Sequence, residues 1–176
     1  MQCGVASLAM ATGFLGVPYG IDNLARICYV TREGVSMLTL SRAADRLGLK
    51  ATTVKVTADR LRHLPMPAIL HWNNNHFVLL YGITRKGNFR IADPAKGHMT
   101  LTEEELVSHW LRGNSEAPEK EGAKGIAMIL DTFSGNNCCG VARLASLTRD
   151  RAIRPPISGA QQLSNIRRFS GFAIFC

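Results

Sequence analysis

The stretch His76-Phe77-Val78-Leu79-Leu80-Tyr81-Gly82-Ile83, followed by a basic turn and then Asn88-Phe89-Arg90-Ile91-Ala92-Asp93-Pro94, decides the fold. Both runs are rich in β-branched, aromatic and aliphatic residues, and Lys86-Gly87 stands where a hairpin turn belongs. A histidine opens the first strand and an aspartate closes the second. An antiparallel hairpin brings those two ends to the same edge of a sheet.

Working outward, Ala68-Ile69-Leu70-His71-Trp72 reads as another apolar strand, set between Pro67 and a polar turn at Asn73, Asn74 and Asn75. Leu49 to Val56 alternates and is β-branched, so it is predicted as a strand, and a short helix is expected around Asp59 to Leu64. Downstream, Thr102 caps a helix over Glu103 to Leu111, with three acids in its first turn as the helix dipole prefers. Gly113 to Gly125 reads as a charged loop and Ile126 to Leu130 as a last, buried strand. Toward the start of the chain the pattern is helical. Within residues 1–16 an apolar helix begins at Cys3, and Gly13 and Gly16-Val17-Pro18-Tyr19-Gly20 should stop it. Asp22 is the expected N-cap of a short helix carrying Ile21, Leu24, Ile27 and Cys28. Ser36 caps a helix that runs to Leu47 and ends at Gly48. Helices first and an antiparallel meander of about four or five strands after them give an α+β fold.

The apolar content of 46% over 176 residues suits one core. No apolar run reaches the roughly 18 residues of a membrane span. Five cysteines, with no CxxC pair, support neither a disulfide scaffold nor a structural zinc site, and a reducing, cytosolic setting fits them best. The net charge of +8 does not read as a nucleic-acid face. Residues 1–132 hold 15 Lys and Arg against 12 Asp and Glu, whereas residues 133–176 hold 6 Arg against one Asp. Beyond Phe133 the periodicity stops. The chain is therefore divided into a domain over 1–132 and a basic tail over 133–176, expected to be disordered or the product of a shifted reading frame.

Cys3 begins the first helix, where unpaired N–H groups and the helix dipole favour an anion, and a thiolate is the nucleophilic form of cysteine. The alternative is a small buried hydrophobe near a chain end. A cysteine peptidase needs a thiolate, an imidazole and a group that orients the imidazole, and Cys3, His76 and Asp93 supply them in chain order. Separately, His76 could satisfy a buried polar group and Asp93-Pro94 could start an ordinary turn. His71 is a rival imidazole, expected to pack against Trp72. Cys3, His71, His76 and Asp93 also have the donor types of a metal site, but nothing else in the chain supports one, and no metal or cofactor is expected. Register tests the triad. A two-residue loop at Lys86-Gly87 would pair Asp93 with Leu80, on the face of His76 but roughly 13 Å away at ~3.3 Å per residue. The triad therefore requires a longer loop, a bulge or bent strand ends.

These residues resemble the cysteine peptidase domain found at the N-terminus of bacteriocin-exporting ABC transporters, over residues 1 to about 132. Cys3-Gly4-Val5-Ala6-Ser7-Leu8-Ala9-Met10 is similar to the second half of that family's cysteine motif. Pro67-Ala68-Ile69-Leu70-His71-Trp72 with Asn75-His76-Phe77-Val78-Leu79 is similar to its histidine motif, and Ile91-Ala92-Asp93-Pro94-Ala95-Lys96-Gly97 to its Asp-Pro segment. Arg32-Glu33-Gly34-Val35-Ser36 and the helix after it also look like the family.

The resemblance implies a papain-like fold with Cys3, His76 and Asp93 catalytic, cutting precursor peptides after a double-glycine leader, in the cytoplasm at the inner face of the membrane. It also implies transporter membrane and ATPase domains as partners; no Walker motif is present in this chain. The family's oxyanion glutamine lies six positions before the cysteine, where this chain has only two residues. Loss of such a donor costs a factor of ~10²–10³ in rate. The expectation is therefore divided: translation starts upstream of Met1, or the protein is a weak or inactive relative, a leader-binding module, or a fragment of a disrupted transporter gene.

Overall fold

The structure, a computed structural model, describes residues 2–30, 34–112 and 122–132. The expected tail over 133–176, most of the loop over 113–125, and Arg32 and Glu33 lie outside the described residues. Three helices come first: α1 (Cys3–Phe14), α2 (Ile21–Ile27) and α3 (Met37–Arg46). Then follow β1 (Leu49–Val56), α4 (Ala58–Arg62), β2 (Ala68–Trp72), β3 (His76–Ile83), β4 (Phe89–Asp93), β5 (Gly97–Leu101), α5 (Glu103–Trp110) and β6 (Gly125–Thr132). The α+β class holds, with N-terminal helices packed on an antiparallel sheet of six strands.

Local chemistry explains most boundaries. The Ser36 hydroxyl accepts the Thr39 N–H at the start of α3, and Gly48 leaves that helix at φ +74°, a left-handed conformation that costs glycine nothing. Thr102 and Glu105 form a reciprocal capping box on α5. At α2 the expectation needs correction. Its N-cap is Gly20, and Asp22 lies inside the first turn without capping, so its carboxylate meets the helix dipole rather than a backbone donor.

The strand order is β1-β6-β2-β3-β4-β5, which corrects the expected simple meander. Strands β2 to β5 do meander, but β6 returns from the end of the described domain and inserts between β1 and β2, antiparallel to both. Consecutive residues on the central strands belong to two separate cores. Ile69, Phe77, Leu79 and Met128 face α1 to α3, together with Leu8, Leu24 and Leu40. Leu70, Val78, Leu80 and Ile91 face α4 and α5, together with Leu61, Leu106 and Trp110. A sheet covered on both faces explains why β2 and β3 read as continuous apolar runs rather than alternating ones. Full burial of each large aliphatic side chain contributes about 1.5–3 kcal/mol, so both layers are needed.

Helix α1 lies close against β3. The Ser7 hydroxyl donates to the Phe77 carbonyl at 3.0 Å, and both Ser7 and Thr12 are buried with their hydroxyls bonded. A Cβ on Gly4 would overlap the Val35 side chain and come within 3.1 Å of the Phe77 ring. That close approach sets the N-terminus of α1 beside the first residues of β3.

Candidate active site

Three elements each contribute one group at this end of the sheet. Cys3 is the first residue of α1, His76 the first of β3 and Asp93 the last of β4. All three residues singled out from the sequence are brought together. The imidazole Nε2 of His76 lies 2.8 Å from the Asp93 carboxylate. The Cys3 sulfur interacts with the same ring both as a hydrogen-bond partner and as a charge, so Nδ1 is the nitrogen left to face it.

How β3 and β4 bring His76 to Asp93 answers the register question. The connection is five residues long, Thr84 to Asn88, rather than the two at Lys86-Gly87. Near the turn Ile83 pairs with Phe89 and Gly82 with Arg90. Continued unbroken, that register would set Asp93 opposite Leu79, on the other face of the sheet from His76. A bulge between Leu80 and Gly82 takes up one residue, so that Leu80 pairs with Ile91 and Leu79 with Ala92. Asp93 then falls opposite Val78, which shares a face with His76. The two side chains become diagonal neighbours, within reach of each other.

Asp93 is buried, and its Oδ1 also accepts the Ala95 N–H at 2.8 Å. This second bond is an Asx-type turn, a local signal carried by the Asp-Pro-Ala order itself. Side-chain exposure is 19% at His76 and 2% at Asp93, so this is not a solvent-screened surface pair of little worth. Burial pushes the Asp93 carboxyl up, but the bonds from His76 and Ala95 and the charges of His76 and Lys96 outweigh it and hold the carboxyl below its ordinary value. The hydrogen bond to Asp93, with support from Cys3, raises the His76 imidazole to about 9 against the opposing effect of burial. Cys3 is buried, which alone would raise its thiol. Interactions with His76 and with the backbone of Phe77 and Gly4 prevail and lower it. These shifts favour a thiolate beside an imidazolium, with a carboxylate behind. That arrangement can attack a carbonyl carbon and protonate a leaving amine.

His71 stands apart from this chain of groups. It does not pack on Trp72, because adjacent strand residues point to opposite faces. Its ring lies tilted against Phe77 at 5.4 Å, and burial lowers its pKa, which keeps it neutral. Trp72 instead stacks on His109 at 5.3 Å. Among the described residues no group of three or more His, Cys, Asp or Glu is placed to hold a metal ion, and Cys3 and Cys28 are free thiols.

Comparison with known proteins falls on the same residues. The model described as Peptidase C39 family matches residues 1–114. Over 109 residues the chain is 33% identical to a probable microcin-H47 secretion/processing ATP-binding protein of Escherichia coli, covering 62% of this chain and 16% of that protein. The matched stretch thus spans about a sixth of the first curated relatives' length. Among solved structures, a double glycine motif protease from an AMS/PCAT transporter, in complex with the leader peptide, superposes with a TM-score of 0.62. It is 31% identical, and the match covers 74% of this chain and 84% of that one. The peptidase domain of Streptococcus ComA superposes at 0.60 with 23% identity, over 74% of this chain and 91% of that one, and shows the same fold.

Proposed function

We propose that this chain, which belongs to the Peptidase C39 family, is a cysteine endopeptidase that removes leader peptides from precursors after a double glycine, coupled to ABC-type export. The observation that carries the proposal is the chain of groups Cys3–His76–Asp93 at one end of the sheet, with each pKa moved in the direction the chemistry needs. The related double glycine motif protease, solved with its leader peptide, supports the substrate class.

In this reading the Cys3 thiolate attacks the carbonyl carbon of the glycine before the scissile bond. The tetrahedral intermediate collapses, the C–N bond breaks, and the His76 imidazolium gives its proton to the departing amine. A thioester remains on Cys3. Neutral His76 then takes a proton from water as the water oxygen attacks the thioester, which releases the leader carboxylate and returns the thiolate–imidazolium pair. Asp93 holds the ring with Nδ1 toward sulfur throughout. Glycines suit a narrow cleft that leaves no room for side chains, and the rest of the leader would dock as a helix in an apolar groove. The described residues include no helix long and apolar enough to cross a membrane. We place the reaction in the cytoplasm, at the inner membrane face, beside the membrane and ATPase domains of an exporter.

Incubation with a synthetic precursor carrying a double-glycine leader tests the proposal by mass spectrometry of the products. Cleavage after the second glycine is expected, and Cys3→Ala should abolish it while leader binding persists. Cleavage that survives in Cys3→Ala refutes the assignment. Wild-type binding without cleavage establishes the leader-binding module instead.

A further inference from the structure

The turn that launches His76 is held from outside the catalytic chain. Strands β2 and β3 pair from Ala68–Leu80 to Trp72–His76, and Asn73, Asn74 and Asn75 make the connection. Asn73 and Asn74 lie in the left-handed region at φ +48° and +65°, and the Asn75 N–H closes the turn on the Trp72 carbonyl. Helix α5 ends against this turn. Its His109 carbonyl, one of the acceptors a helix C-terminus leaves open, takes the Asn73 N–H at 3.1 Å. The His109 Nδ1–H donates to the Asn73 side-chain oxygen, also at 3.1 Å. The His109 ring stacks on Trp72, at 5.3 Å between centroids and 23° between planes, and Trp72 is buried and pairs with His76 across the hairpin.

We propose that His109 and Asn73 are positioning residues for the reaction, fixing the β2–β3 turn so that His76 is aligned between Cys3 and Asp93. The inference rests on the reading of Cys3 and His76 as the reacting pair. The Asn75–Trp72 bond only closes the turn on itself, and the contacts from His109 are what tie it to α5. His76 is the first residue of its strand, so tilting the turn moves its ring relative to both partners. One histidine fixes the turn through its ring nitrogen, its carbonyl and its stacking surface at once. Neither His109 nor Asn73 needs to touch substrate.

The test reads Cys3 directly and needs no substrate. The rate of iodoacetamide alkylation of Cys3 in the full chain, followed by peptide mass spectrometry, is measured from pH 4 to 10 and reports the thiolate. Wild type should show Cys3 alkylated well below the pH of an ordinary thiol. Should it not, the pairing of Cys3 with His76 is itself wrong, whatever the turn does. Given the wild-type result, Asn73→Gly is the informative variant. Glycine accepts the left-handed backbone and keeps the N–H bond to His109, but removes the side-chain acceptor. We expect its Cys3 rate at low pH to fall by about threefold, equivalent to about half a pKa unit. His109→Ala should fall further, and His109→Asn, whose amide can again donate to Asn73, should recover part of the loss. Alkylation profiles of Asn73→Gly and His109→Ala that superimpose on wild type overturn the proposal. Should His109→Ala fail to fold, the Asn73→Gly profile decides alone.

Discussion

Asp93 carries the most testable chemistry at the scale of single residues. Its bond to His76 is the largest cause of the imidazole's rise to about 9. Asp93→Asn removes the charge yet preserves the shape, so the imidazole should return toward its ordinary 6.5. In the proposed reaction His76 must be protonated when it meets the leaving amine, so the rate should fall as pH rises through the imidazole's pKa. The alkaline limb of the pH–rate profile is expected near 9 in the wild type and at distinctly lower pH in Asp93→Asn, with kcat down about tenfold or more at neutral pH. A steady-state profile of both proteins on one precursor checks this. An alkaline limb that does not move would assign it to another group.

At the scale of elements, the return strand β6 depends on a glycine. A Cβ on Gly125 would land within the indole of Trp110, which is buried and donates its N–H to the Ile126 carbonyl at 2.9 Å. Gly125→Ala should therefore cost about 1–3 kcal/mol, read as a lowered urea midpoint. A neutral result would mean that α5 can slide away from β6. These elements were unequally legible in the sequence. Strands β1, β2 and β3 were found to the residue, because alternation and Pro, Gly and Asn punctuation bounded them. Strand β5 was missed. It is a short edge strand that follows Asp93-Pro94 directly, and its residues at Gly97 and His98 are exposed, so no apolar run announces it. The place of β6 was also beyond reach, since local pattern shows that a strand is buried but not which neighbours it joins. For the candidate site, residue types and chain order pointed to Cys3, His76 and Asp93, which the fold brings together. The register that joins the last two was not legible, because Tyr81 looks like any other strand residue. Trp72 and His109 meet only through tertiary docking, 37 positions apart, which left that contact invisible to local pattern.

For the whole molecule, the site makes stability depend on pH in two opposite ways. His76 has its folded pKa raised from 6.5 to about 9, so its contribution is fully present below 6.5 and is lost as pH rises through 9. Asp93 has its pKa lowered from 3.8. Its contribution is present above 3.8 and is lost as pH falls through the lower folded value. The fold should accordingly be most resistant to urea between these limits, and His76→Ala should remove the loss of stability between pH 7 and 9.5. Urea midpoints across that range, wild type beside His76→Ala, provide the check, and parallel curves would show that other groups set the alkaline decline. The bulge at Tyr81 has a consequence of another kind, at the level of codons. Three nucleotides taken from the five codons for Thr84 to Asn88 shorten a surface turn and leave the pairing beyond it able to keep its phase. Three taken from the Tyr81 codon remove only the bulged residue, so Leu80 still meets Ile91 and Asp93 stays on the side of His76. Three taken from the Leu79 codon instead set Asp93 opposite Phe77, on the other side of the sheet. For an in-frame deletion, what separates a silent allele from an inactive one here is whether the lost residue is counted in the ladder.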